Sequence, residues 1–320
     1  MQHTPGQKDF KGSSWFGKPY YFFGDYLWNK YKTRVLKLPI NVNLGCPNRD
    51  GTTGDEGCIF CPEDGSAAPI SNDADSIVKQ MQLSRNSFAR SPRDTRYIAY
   101  FQAFTNTYAP VEHLKTIYDM AIAPDDIIGL MIGTRPDCLP DEVLDLIATY
   151  HKDMFELWLE IGMQTIHDRS LNYLLRGHSH AQTRYAIVGA AKRNIPVCVH
   201  IILGIPGESW KDMMDTAEEI SSLPVSGVKL HHLHAIRNTR LGDHYIQDQF
   251  IPVTFHRYVS YVCDFIERLR PDIIIHRLSG DRDPASLLAP SWSLHKGTVI
   301  KAIQDEFHRR QTFQGFLYRD

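Results

Sequence analysis

The sequence predicts an α/β fold, a partial (β/α)6 TIM-like barrel with N- and C-terminal extensions. Short apolar, β-branched runs alternate with helix-period segments from residue 36 onward. That alternation implies parallel βαβ units with right-handed crossovers and helices on the outside. Six units in roughly 200 residues suit an open or partial barrel better than a closed eightfold one. The composition agrees: 320 residues, 42% hydrophobic and 22% charged, is ordinary for a soluble globular chain.

The elements follow in order. "LKLPINVNL" (36–44) reads as the first strand, followed by a cysteine-bearing loop and a helix at about 73–89. "YIAYFQ" (97–102) is the second strand, and "VEHLKTIYDMA" (111–121) a helix with apolar residues at helical spacing. "IIGLMIG" (127–133) precedes the helix "DEVLDLIATY" (141–150). "FELWLEIG" (155–162) precedes helical material reaching about 193. "PVCVHIILG" (196–204) precedes "ESWKDMMDTAEEISSL" (208–223), and "GVKLHHLHA" (227–235) is the sixth strand. The domain boundaries fall at 1–35 for a basic, aromatic N-terminal extension, 36–250 for the barrel, and 251–320 for a C-terminal extension packed on it. That last part holds a helix at 255–269, the apolar run "DIIIH", and a final helix starting near Leu294.

Net charge is −2, so no global field points to nucleic acid or membrane. Locally, residues 1–40 carry seven Lys/Arg (Lys8, Lys11, Lys18, Lys30, Lys32, Arg34, Lys37) against Asp9 and Asp25, interleaved with aromatics such as Trp15, Tyr20, Tyr21, Phe22, Phe23, Tyr26, Trp28 and Tyr31. No apolar run is long enough for a transmembrane helix and the N-terminus has no signal-like core, so a cytoplasmic, reducing location is expected. There, clustered cysteines read as metal ligands or redox groups before disulfides.

Three of the six cysteines, Cys46, Cys58 and Cys61, sit in the loop after the first strand, where barrel chemistry is placed. Thiolates bind soft metals, and three of them leave a fourth position open. Gly45, Gly51, Gly54, Gly57 and Gly65 let the loop bend around an inorganic core. Spacing alone leaves three readings: a [4Fe–4S] cluster with one iron free, a Cys₃His zinc site completed by His231, His232 or His234, or unligated buried thiols.

Beyond the cysteines the chain resembles the radical S-adenosylmethionine (SAM) superfamily. Eleven residues separate Cys46 from Cys58, a stretched form of that superfamily's cluster motif. "CPNRDG…GCIFC" is similar to the YhcC/YtqA-like family and to the branch holding the catalytic subunit of elongator. Further motifs follow in order: "QAFTNTY" (102–108), "GTRPDCLP" (133–140), "LEIGMQTIHDRSL" (159–171) with "LRGHSH" (175–180), and "HIILGIPGES" (200–209). The resemblance spans about residues 20 to 310. In "QAFTNTY" the superfamily's glycines and acid are missing, leaving Gln102, Thr105 and Asn106 as the polar candidates.

The resemblance implies a [4Fe–4S] cluster on Cys46, Cys58 and Cys61 and reductive cleavage of SAM to a 5′-deoxyadenosyl radical. It implies Phe60 near the adenine, although Phe60 could equally plug the barrel rim. It implies SAM contacts from Glu160 and Gln164, with a salt bridge from Glu160 to Arg176 or Arg135 as the structural alternative. It gives Arg176 the SAM carboxylate and sets the turn Gly204, Ile205, Pro206 and Gly207 along the adenine edge. Alternation puts Lys229 and His231 on one face of the sixth strand and His232 and His234 on the other. Lys229, His231 and the rim residue Cys138 are the candidates nearest substrate, Arg277 and Asp281 could close the site, and Cys198 reads as a core residue. The expected partners are SAM, tRNA near the wobble uridine, and an electron donor such as flavodoxin or ferredoxin. Basic and aromatic residues of the N-terminal extension suit RNA or, equally, packing over the open barrel end. A small-molecule or cofactor-precursor substrate, and a zinc-stabilised nucleic-acid-binding protein, are the competing readings.

Overall fold

A computed structural model describes residues 15–65, 76–88, 94–280 and 282–319. Within them the barrel elements are β1 (Val35–Ile40), α2 (Ile77–Ser87), β2 (Arg96–Phe101), α3 (Val111–Ile122), β3 (Ile127–Thr134), α4 (Asp141–Ala148), β4 (Glu156–Gln164), α5 (Asp168–Tyr173), α6 (His180–Ala191), β5 (Val197–Leu203), α7 (Trp210–Ser222) and β6 (Gly227–His232). A helix α1 (Phe23–Tyr31) precedes them. After them come β7 (Ala235–Ile236), α8 (Arg240–Ile246), α9 (Phe255–Ile266), β8 (Ile274–Arg277), β9 (Leu287–Ala289) and α10 (Lys296–Arg310).

The main sheet is parallel with order β1-β2-β3-β4-β5-β6-β8. It curls so that one face meets the helices and the other encloses a lumen. β4 shows why: it is buried along its whole length, with Leu157, Leu159, Ile161 and Met163 in the outer core while Trp158 packs with the lumen cluster. Alternate residues of a strand face opposite sides, so the same strand turns Glu156, Glu160 and Gln164 inward.

Two expectations change. A seventh strand, β8, pairs with β6 through Gly227↔Ile274 and Val228↔Ile275, so the boundary at residue 250 does not separate barrel from extension. Its core is only the run Ile273–Ile275, too short to be told from a buried helix or turn by periodicity. The N-terminal aromatics also form part of the barrel: Phe23 and Leu27 of α1 pack with Ile98, Met131, Trp158 and Ile274 at the N-terminal end of the strands. Phe23 stacks on His276 at 4.0 Å between ring centroids. Glu156 fixes this floor, accepting hydrogen bonds from Lys30 Nζ (2.6 Å), Tyr31 Oη (2.9 Å), Tyr26 Oη (3.1 Å) and Trp158 Nε1 (2.8 Å). Of the two N-terminal readings, these residues follow the packing one; Lys8, Asp9 and Lys11 lie outside the described residues.

The helical stretch before 193 divides at "LRGHSH", where Ser179 and Gln182 form a capping box that starts α6. Gln314 ties the C-terminal tail to the N-terminal segment through Tyr21 N (2.9 Å) and Pro19 O (2.8 Å).

Candidate active site

The cysteine loop leaves β1 at the C-terminal mouth of the barrel. Its ends are held by backbone bonds: Thr105 N to Gly45 O, Ile59 N to Leu174 O, and Leu241 N to Ile59 O. Arg49 braces the interior, donating to the carbonyls of Cys61 (3.0 Å), Pro62 (2.6 Å) and Glu63 (3.0 Å). Thr105 and Asn106 are buried, and Asn106 Nδ2 donates to Gly133 O at 2.8 Å. They couple the loop to β3 and do not line the lumen cavity described below. The Cys61 thiol is pushed up to about 11 by burial and by neighbouring Cys58, with Cys46 also raising it, so the three sulfurs lie within electrostatic reach of one another.

Cys58 has a distinct setting. Arg176 Nη1 lies 3.2 Å and Asn48 Nδ2 3.6 Å from its Sγ. The Arg176 guanidinium is otherwise committed to Gly162 O (3.0 Å) and His178 Nε2 (3.2 Å). It is therefore turned toward the sulfur rather than held free for a SAM carboxylate. Gly177 makes the approach possible: its φ is +65°, and an added Cβ would lie 2.8 Å from both Asn48 Oδ1 and Thr53 Cγ2. Arg135 is also buried beside the loop. Burial works against its charge, but Asp137 and, farther off, Cys46 and Cys58 outweigh that and hold its pKa above the ordinary value. Its Nη1 has no hydrogen-bond partner. A donor-rich, cation-lined cup around three thiols fits an anionic iron–sulfur cluster.

Beneath the loop, a lumen cavity of about 190 Å³ is lined by Phe60, Tyr100, Gln102, Gln164, His200, His231 and Arg277, among others. Lys229 of β6 points inward to Glu160, and His231, His232 and His234 all line the cavity. His232 also lies against Trp292 and Tyr258, and β6 has ended at His232 before His234 is reached. Glu160 sits at mid-barrel, paired with Lys229 and not with Arg176 or Arg135. Its Oε2 also accepts from Tyr100 Oη (2.7 Å) and His200 Nε2 (3.0 Å), and Lys37 Nζ stands 3.9 Å from Oε1. Burial would raise the Glu160 carboxyl, but Lys229, His200 and Lys37 hold it well below the usual range. Burial and Lys229 push Lys37 down to about 7, and the same pair pushes His200 down to about 4. Glu160 is therefore the anionic centre of a lumen whose histidines are neutral.

Other candidates lie apart. Cys138 borders a separate groove with Pro47, Thr52, Tyr108 and Tyr185, and burial pushes its thiol up to about 12. Gly204 (φ +80°) and Pro206 form the turn after β5 without lining the lumen cavity. Cys198 is a buried lumen residue beside Glu160, as expected of a core position; Asp281 lies outside the described residues. Lys37, Tyr100 and His200 complete the Glu160 network; the sequence singles out none of them as a site residue, although His200 opens the motif "HIILGIPGES". Otherwise their only sequence signal is a polar residue at an inward position of an apolar strand.

Residues 40–220 match the family described as the radical SAM superfamily, and residues 225–309 match the Radical_SAM C-terminal domain. The chain belongs to the radical SAM superfamily. It is a radical SAM enzyme, and membership implies SAM and a [4Fe–4S] cluster. It is 37% identical to the uncharacterized protein YtqA of Bacillus subtilis over 94% of each chain. It is also 37% identical to YhcC of Escherichia coli K12, covering 92% of this chain and 93% of that one. Among solved structures it resembles archaeal Elp3 from Methanocaldococcus infernus, with a TM-score of 0.64 and 15% identity, covering 88% of this chain but only 64% of that one. Methylornithine synthase PylB has a TM-score of 0.51 at 11% identity, covering 91% and 86%. At these identities the two structures establish the shared radical SAM barrel and no more. No helix is long and apolar enough to cross a membrane among the described residues.

Proposed function

We propose that Cys46, Cys58 and Cys61 hold a [4Fe–4S] cluster at the barrel mouth, that SAM binds between it and the lumen, and that the enzyme modifies tRNA near the wobble uridine. The observation that carries the cluster assignment is the setting of the three thiols: one loop, one mouth, and two donors on Cys58 Sγ. When bound, such a cluster supplies one electron to the SAM sulfonium, which yields a 5′-deoxyadenosyl radical. The chain's own residues orient and shield. Phe60, Gln102 and Gln164 line the cavity, where they would pack against and hydrogen-bond the adenosyl group. His231 lines it as well, and Lys229 beside Glu160 is the other candidate for the substrate side.

The tRNA reading rests on the resemblance of "GTRPDCLP" and "LRGHSH" to the elongator branch, not on the N-terminal aromatics, of which Phe23, Tyr26 and Tyr31 are used in the barrel floor while Phe16 and Trp28 are exposed. Anaerobic reconstitution should give about four irons per chain. Failure of iron uptake, with zinc held tightly instead, overturns the cluster assignment. Nucleosides of total tRNA from a deletion strain should show one modification lost or halted at a precursor. An unchanged profile overturns the tRNA reading and favours a small-molecule substrate. The flavodoxin or ferredoxin expected as electron donor is tested by which of the two, reduced, supports 5′-deoxyadenosine formation.

A further inference from the structure

The three ligand thiols are not equivalent. Cys58 Sγ receives a guanidinium N–H from Arg176 and an amide N–H from Asn48. Cys46 and Cys61 receive no side-chain donor among the described residues; Cys61 Sγ instead lies 3.7 Å from Pro62 O, an acceptor. The asymmetry is built. Arg176 is buried and oriented by Gly162 O and His178 Nε2. Asn48 is buried and oriented by its 2.6 Å bond to Leu175 O. Gly162 and Gly177 lack the Cβ atoms that would displace them: one at Gly162 would lie 2.9 Å from Arg176 Nη2, one at Gly177 2.8 Å from Asn48 Oδ1. An arginine from the loop after α5 and an asparagine of the cysteine loop thus converge on a single sulfur, with two glycines leaving them room.

We infer that Arg176 and Asn48 are positioning residues that tune the cluster through Cys58, raising its reduction potential and making the iron it ligates the favoured site of the added electron. In the structure Cys58 Sγ stands for the thiolate that would ligate iron. A hydrogen bond from a cationic donor withdraws charge from a ligand sulfur, which favours the reduced, more negative state. Arg135 is buried beside the loop too, but its charge is paired with Asp137 at 2.9 Å, which leaves Arg176 as the cation on the sulfur. The role also explains why the Arg176 guanidinium is spent on protein partners. The inference rests on the cluster assignment above.

The test is a redox titration of the reconstituted protein, followed by EPR of the reduced state, on wild type, Arg176→Gln, Asn48→Ala and Arg49→Lys. Arg49 braces the same loop through carbonyls only, and lysine there breaks the guanidinium fork but keeps the positive charge near Cys61, so this variant reports loop integrity without a change of charge. We expect the midpoint to move to more negative potential in Arg176→Gln, and less far in Asn48→Ala, with changed g-values in both. Arg49→Lys should leave the midpoint in place, whatever it does to cluster occupancy. A wild type with no four-iron EPR signal overturns the cluster assignment itself. A wild type that carries the cluster, with an unmoved midpoint in Asn48→Ala and in whatever fraction of Arg176→Gln is loaded, overturns the tuning inference alone. An equal shift in Arg49→Lys overturns it too, because a loop effect would then account for the change.

Discussion

Replacing Glu160 with glutamine removes the carboxylate that Lys229 and Lys37 share. The side chains of Glu160 and Lys229 are 0% and 2% exposed, so solvent cannot take over. When protonated, Lys37 at 3.9 Å adds about 4 kcal/mol of Coulomb attraction at an effective dielectric of about 20, before desolvation is subtracted; burial and Lys229 push its pKa down to about 7, so that share shrinks as pH rises through neutrality. Breaking a buried pair while leaving one partner charged costs about 3–5 kcal/mol, and that is the loss expected for Glu160→Gln. Tyr100 and His200 also lose an ionised acceptor, which places the effect toward the upper end. The double variant Glu160→Gln/Lys229→Met should be more stable than Glu160→Gln alone, because it removes the stranded charge. Urea unfolding of both single variants and the double variant measures this as a coupling energy. A Glu160→Gln loss below about 1 kcal/mol, or strict additivity in the double variant, refutes the view that the lumen is organised around one buried anion.

Three further outcomes follow from the same geometry. Cys58→Ala should abolish 5′-deoxyadenosine formation and lower iron content while far-UV circular dichroism stays that of the wild type; undiminished product refutes its role as a ligand. Gly177→Ala places a side chain at φ +65° against Asn48 and Thr53 and should cost about 1–3 kcal/mol, with reduced iron loading; wild-type thermal stability and iron content would contradict it. Stability should fall as pH drops from about 6.5 toward 4, because burial and Lys229 push His200 down to about 4, and burial and Arg282 push His232 down to about 3. The unfolded chain then binds protons that the folded one refuses. Glu160, Lys229, Arg277 and His231 all face His200, and His200→Gln should flatten this pH dependence of the urea midpoint; an unflattened slope excludes His200 as its source.

Much of this was legible in the residues. The six strands announced themselves by β-branched apolar runs, and the cysteine loop by its spacing and glycines. Alternation, a geometric period of two, turns Lys229 toward Glu160, but it does not keep His232 and His234 out of the cavity that His231 lines. Long-range pairings were less visible. Glu160 could have met any of several cations; that it meets Lys229 depends on β4 and β6 facing each other across the lumen. Arg176 looked like a carboxylate ligand because guanidinium often is one, and only the fold brings Cys58 Sγ to it. β8 hid in a run of three isoleucines, and α1 in a basic aromatic segment whose composition suits RNA as well as it suits a barrel floor.

That floor has a bearing on traffic. With Phe23, Leu27 and Trp158 filling the lower end and Glu156 bolting α1 in place, that end of the lumen is closed by side chains. On the proposed placement of SAM under the cysteine loop, SAM and substrate would enter from the same end, and the one seated deeper would have to arrive first. An order of arrival is then a consequence of the closed floor.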